Sequence, residues 1–338
     1  MYARTWLWVG GCTLAMNVLS GCALQKKDNV DEFRDAVPQS EAVSLSGPDG
    51  SGAPSGSSST ASAPPPRGAL STTPPAPAYA KWYGFTRDMR DGVNVVTASV
   101  LGSVWLIIQS EPSATTTDTA TWGPYTDELD PATYRFRVTR IATDEYDYVL
   151  EGRPKASTSD ADYQAVLTGH GYGKPSAMHG QGTFAINLDN AKALDPYKHP
   201  NDSGSVSIDY DLPRDFPDNA ERLSRTITAT VTPQGEAHYS VESVASPDHT
   251  GSILVNAHVD IDDSKMTKLE DVVVLGRWAA TGAGRADIKI TGGDLPASTP
   301  LVDASECWGT DFTQSYYSDS VGFAPTAGDV SACVFATM

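Results

Sequence analysis

Basic residues are scarce in this 338-residue chain: 24 lysines and arginines stand against 42 aspartates and glutamates, for a formal net charge of −18. Affinity for a phosphate backbone comes largely from Lys and Arg neutralising it, so nucleic acid is excluded as a partner. The same balance argues against holding to anionic lipid head groups by charge. Catalytic signatures are missing as well. The folded part has no Gly-x-Ser-x-Gly elbow, His-Glu-x-x-His, Walker loop or Cys-x-x-Cys. "GHGYG" and "TGAGRAD" do not complete the dinucleotide pattern. "GQGTFA" (180–185) fits only its alanine variant and runs into a strand where a helix is needed. No catalytic residue, cofactor or metal is therefore expected, and the chain reads as not an enzyme.

Cysteine is the second scarcity, with Cys12, Cys22, Cys307 and Cys333 alone. The first two fall in a leader-like stretch. Arg4 supplies a positive start, and Thr5 to Val18 an apolar region of about 14 residues. That is too short for a comfortable membrane span, which needs about 20. The stretch ends in Leu19-Ser20-Gly21-Cys22. In this position the tetrapeptide resembles the lipobox of bacterial lipoproteins. The resemblance implies cleavage between Gly21 and Cys22, a thioether diacylglycerol on Cys22, and acylation of the new amino terminus. Because Ala23 and not Asp follows the cysteine, it also implies an outer-membrane address, facing the periplasm or the cell surface. Cutting at Cys12 instead would leave an apolar region of only about 7 residues.

Removing Cys12 with the signal and lipidating Cys22 leaves Cys307 and Cys333. In an oxidising compartment these read as one disulfide, stabilising the fold by roughly 3–4 kcal/mol in the chain-entropy model. Free thiols are the alternative; a zinc site wants four ligands at tighter spacing.

The chain divides into a signal peptide (1–21), a Ser/Pro/Gly-rich disordered tether (22–80) and a single mainly-β domain (81–338). Residues 46–80 offer almost nothing to bury and cannot offset the entropy of ordering. Upstream, "DEFRDAVP" (31–38) predicts no more than a short transient helix ending before Pro38. From Phe85, the apolar residues Met89, Val93, Val96, Val100, Val104 and Ile107 recur at helical spacing, Leu101, Trp105 and Ile108 widen the stripe, and no charge intervenes between Asp91 and Glu111. Such a helix is either buried in a core or set in a membrane; the small residues among its apolar ones favour a buried helix under strands.

Downstream the period becomes two. "SVSIDYDL" sets Val206, Ile208, Tyr210 and Leu212 against Ser205, Ser207, Asp209 and Asp211. "YRFRVTRI", "TFAINLD", "RTITATV" and "ILVNAHVDI" alternate alike, and 146–151, 237–244, 272–278, 286–291 and 330–335 are further candidates. The fold class is therefore mainly β: a curved antiparallel sheet (half-barrel or open barrel) packed on one long N-terminal α-helix. This outline resembles the half-barrel folds of periplasmic lipoprotein carriers, which implies a greasy cavity under the sheet. "CWGTDFTQSYYSDS…CVF" also resembles bacterial lipoproteins for which no activity is known, so that likeness implies class and compartment only.

Weaker signals complete the reading. His170, His179 and His199 are expected in Gly/Pro-rich loops, where a metal or general-base role is open to them, but their spacings match no ligand pattern. The run Asp260–Asp271 begins like a calcium loop, but position six is Lys265 and position twelve Asp271; a charged hairpin is the better reading. Asp209 and Asp211 share a strand face about 7 Å apart, a carboxylate pair that any wet strand face offers. Trp82, Trp122, Trp278, Trp308, Tyr316 and Tyr317 serve either core packing or a stacking surface. The expected function is a non-enzymatic, membrane-anchored lipoprotein that binds an apolar ligand or an envelope protein. An envelope hydrolase and a structural surface protein are the alternatives.

Overall fold

A computed structural model describes residues 27–48, 79–173, 175–214, 223–261 and 268–337. The expected signal segment, the expected cleavage junction at Gly21–Cys22 and most of the Ser/Pro/Gly-rich stretch lie outside the described residues.

Strict alternation makes the sheet. The strands are β1 (Ala114–Thr115), β2 (Thr119–Tyr125), β3 (Ala132–Ala142), β4 (Glu145–Pro154), β5 (Gln164–Tyr172), β6 (Gly180–Asn187), β7 (Ser205–Leu212) and β8 (Arg225–Thr232). They continue as β9 (His238–Ala245), β10 (Gly251–Val259), β11 (Glu270–Trp278), β12 (Gly284–Gly292), β13 (Leu301–Trp308), β14 (Gln314–Asp319) and β15 (Ala327–Gly328). All fifteen pair antiparallel with their sequence neighbours in one open sheet. β7 shows why: Val206, Ile208, Tyr210 and Leu212 are buried on the inner face, while Asp209 and Asp211 meet solvent. The expected strand at 330–335 is absent, replaced by a short 3-10 turn, Val330–Ala332. Cys333 in this segment is joined to Cys307 by a disulfide with Cα atoms 5.5 Å apart.

The long helix, α2 (Lys81–Ile108), follows α1 (Lys27–Asp35) and lies on the inner face. At its start Tyr83 stacks on Phe312 and tilts against Trp308. At its end the Trp122 indole donates to the Ser110 carbonyl, 3.1 Å away. The helix thus touches both ends of the sheet, which curls over it. Ala80 provides no side-chain cap. Glu306 on β13 does this work, accepting the Lys81 and Trp82 amides at 2.8 and 2.7 Å.

Two expectations need correcting. The buried stripe of α2 is Tyr83, Thr86, Arg90, Val93, Thr97, Leu101, Val104 and Ile108. It keeps Val93, Leu101, Val104 and Ile108 of the apolar set in the sequence but is rotated enough that Phe85, Met89, Val96, Val100 and Ile107 flank it half-buried. Secondly, residues 27–48, expected to lie within a disordered tether, pack on the sheet and α2. Phe33, Ala36, Val37, Ala42, Val43 and Leu45 are all nearly inaccessible to solvent. Their polar partners are fixed too. Glu32 accepts from Arg140 and Tyr146, Arg34 donates to the Ile108 and Ser110 carbonyls at 2.7 and 3.0 Å, and Leu45 exchanges two hydrogen bonds with the Asn94 side chain. Ser46 closes the run against Ser243 on β9. This segment and α2 together cover the inner face where a greasy cavity was expected.

The glycines of "GHGYG" and "GQGT" serve the same core. A side chain at Gly169 would collide with the Tyr148 ring, and one at Gly182 with Tyr210. Those positions are small so that two tyrosines can lie across the neighbouring strands.

Candidate functional site

The period that buries one face of each strand leaves the other in water. On β2–β7 this outer face forms an open groove of about 780 Å³. Two cross-strand rows make its floor. One runs Thr139, Asp147, His170 and Thr183 across β3–β6. The other runs Arg137, Val149, Thr168, Ala185 and Ser207 across β3–β7. Directly opposed residues lie about 4.5–5.5 Å apart, and four strand spacings of about 4.8 Å make the floor roughly 19 Å long. Tyr148 and Phe184 close it from beneath. Burial pushes the Tyr148 phenol well above its usual range, so it stays neutral.

Four threonines and one serine line the groove beside Val149 and Ala185, and each hydroxyl both donates and accepts. The charged or titratable groups are Arg137, 3.8 Å from Glu151, together with Asp147 and His170, which contact each other. His170 Nδ1 lies 2.8 Å from Asp147 Oδ1, and its Nε2 lies 3.3 Å from Glu145 Oε1. Both ring nitrogens therefore face carboxylates, and neither is turned to the Thr183 hydroxyl as a general base would be. The chemistry suits holding a polar molecule.

The other sequence candidates disperse. His170 sits on a strand and not in a loop, while His179 Nδ1 contacts Ser176 Oγ at 2.9 Å and His199 Nδ1 contacts Asp202 at 2.8 Å. Asp209 and Asp211 are exposed on the outer face of β7. Within 260–271, residues 262–267 lie outside the described ones, but β10 and β11 pair up to Val259 and Glu270. The Glu270 carboxylate accepts the Ile261 and Asp294 amides, as a hairpin support does. Among the described residues, no group of three or more His, Cys, Asp or Glu is arranged to hold a metal. Trp122, Trp278 and Trp308 are core residues; Tyr317 donates to Asp319 at 3.0 Å. Trp82, Tyr316 and Tyr317 are half-buried and build no exposed stacking surface.

The groove is not legible in the sequence because neither β2 nor β5 alternates cleanly. In "QAVLTGHGY" the glycines break the apolar period, yet Thr168 and His170 still alternate outward with them. No protein-family model matches the chain, and no curated protein or solved structure does either.

Proposed function

We propose that this protein is a non-enzymatic envelope lipoprotein, anchored in the outer membrane through Cys22, whose outer sheet face binds a neutral, hydroxyl-rich ligand such as a stretch of envelope polysaccharide. The groove on β2–β7 carries this reading: threonine and serine hydroxyls line a concavity about 19 Å long, matched to a ligand with donors and acceptors at short intervals. An apolar ligand is the weaker fit, because the chain's own residues 33–48 and α2 occupy the inner face. The engaged nitrogens of His170 favour binding over hydrolysis.

The test titrates the mature protein with purified envelope polysaccharide fragments by calorimetry. Ala185 lies in the middle of the groove floor, so Ala185→Trp is expected to lower affinity at least about tenfold, or about 1.4 kcal/mol, with unchanged unfolding. No heat with any fragment, or equal affinity in the variant, would remove the reading. Release of reducing ends would instead establish a hydrolase. The anchor is tested separately: Cys22→Ala should leave the detergent phase, since stable anchoring takes at least two acyl chains.

A further inference from the structure

We infer that the outward face of the C-terminal half of α2 rests on the lipid bilayer, held there by a short connection to the anchor. The inference depends on lipidation of Cys22.

Opposite its buried stripe, α2 presents a face without charge from Gly92 onward. Leu106 is 76% exposed and Val95 50%; Ala98, Ser99 and Ser103 between them are exposed as well. Half-buried Val96, Val100, Trp105 and Ile107 continue this surface to the sheet. No Asp, Glu, Lys or Arg occurs from Gly92 to Ser110, in a chain of net charge −18. α2 is long and apolar enough to cross a membrane, but its buried stripe is committed to the sheet and the 33–48 segment. Such a face can lie on a bilayer and not cross it, as interfacial helices do with an apolar side about 5–10 Å into the head-group boundary.

Chain length selects lipid as the occupant. The packing of residues 27–48 means that the long Ser/Pro/Gly-rich stretch does not stand between anchor and domain. From Cys22 to Lys27 the chain can reach at most about 18 Å, and the nine residues of α1 add about 13 Å at 1.5 Å each. At that point Arg34 grips the Ile108 carbonyl, the end of α2. With the reach of the Arg34 side chain added, an acylated Cys22 lies within roughly 40 Å of Leu106, too close for the domain to stand far from the membrane. Tethering at such range raises the effective concentration of the face at the lipid surface, so a modest apolar area suffices.

The experiment uses the full lipidated protein in phosphatidylethanolamine/phosphatidylglycerol vesicles, kept free of reductant. An environment-sensitive fluorophore is placed at Leu106→Cys, or at Glu242→Cys on the outer sheet face as a control. Doxyl-labelled lipid should quench the Leu106 position at least about twofold and the Glu242 position hardly at all. Deleting residues 49–78 should leave this contrast intact. Weak, equal quenching in protein that floats with the vesicles would overturn the docking while sparing the anchor. Protein that does not float would end the anchor reading and the docking with it. A fluorophore shielded already in detergent-free solution would overturn it too, naming a second copy if the mass doubles and residues 49–78 if their deletion exposes it.

Discussion

The outer face of the sheet carries ionic groups at both ends, and the two ends are treated differently. At β4–β5, His170 lies between Glu145 and Asp147 with its side chain 32% exposed. At β11–β13, Arg277 and Arg285 oppose each other directly across the strands, an arrangement that alone is destabilising. Asp287 resolves it by accepting from Arg285 through one oxygen and from Arg277 through the other, each at 2.8 Å. Residues 329–337 then cover the cluster. Thr337 and Ser305 take further Arg285 hydrogen bonds at 3.0 and 2.7 Å, the Ala336 carbonyl accepts from Arg277, and Phe335 lies beneath the Arg277 guanidinium. Cys307, the neighbour of Arg285 across the sheet, fixes the cover through Cys333. Arg285 is left only 2% exposed. Covering converts a surface ion pair into part of the core, and leaving the other end bare keeps the groove open to solvent.

The comparison breaks most sharply at Arg285. Arg285→Ala leaves Asp287 with Arg277 and the Ser305 hydroxyl, but it removes charged hydrogen bonds and empties a buried site, and should cost about 2–4 kcal/mol, read as a shifted urea midpoint. Removing the staple comes next. Cys333→Ser should cost about 2–4 kcal/mol through the denatured chain and release 329–337. With the cover loosened, water reaches the cluster, so the double variant should cost less than the sum of the two singles. Strict additivity would show that the cover does not control the burial of Arg285.

Glu306 sharpens the contrast from the inner face. Burial raises its pKa above the ordinary 4.5, partly offset by the amide hydrogen bonds from Lys81, Trp82 and Tyr83. The folded state therefore holds a proton that the unfolded chain has lost, and this contribution to stability falls as pH rises from 4.5 through the raised value. Exposed Asp127 and Asp329, lowered by amide hydrogen bonds from their own turns, behave oppositely: their stabilisation is lost as pH falls below 3.8. Glu306→Gln should flatten the slope of stability above pH 4.5, measured by denaturant unfolding. Glu306→Ala leaves the first amides of α2 without their acceptor and should cost about 1–3 kcal/mol at all pH values.

Much of this architecture was legible where local pattern and tertiary role agree. β7 alternates without a fault, and its inner residues are those its period names. Local pattern failed where partners are remote. Nothing near Glu32 announces Arg140 and Tyr146, and nothing near Leu45 announces Asn94, so 27–48 read as tether. The cap on α2 comes from Glu306, 225 residues after Lys81. The helix stripe was misplaced because Thr86, Arg90 and Thr97 occupy its buried centre, which hydrophobicity alone assigns to water. Of the groove, the individual residues were visible but their assembly was not, because it needs the register of six strands. The disulfide was legible because elimination left one pair.

The smallest effect belongs to the bare end. His170→Gln removes the bridge between Glu145 and Asp147 but keeps a donor of similar reach. Exposed ion pairs are worth about 0–1 kcal/mol and are screened by salt, so the variant should unfold within about 1 kcal/mol of the parent, and closer at 1 M salt. Arg285→Ala, shielded from solvent, should keep its full cost at that salt concentration. The ratio of the two costs, at low and high salt, measures what residues 329–337 contribute to the electrostatics of this face. A His170→Gln cost as large and as salt-resistant as that of Arg285→Ala would mean that β4–β5 is covered too, and the groove would then be unable to receive a ligand.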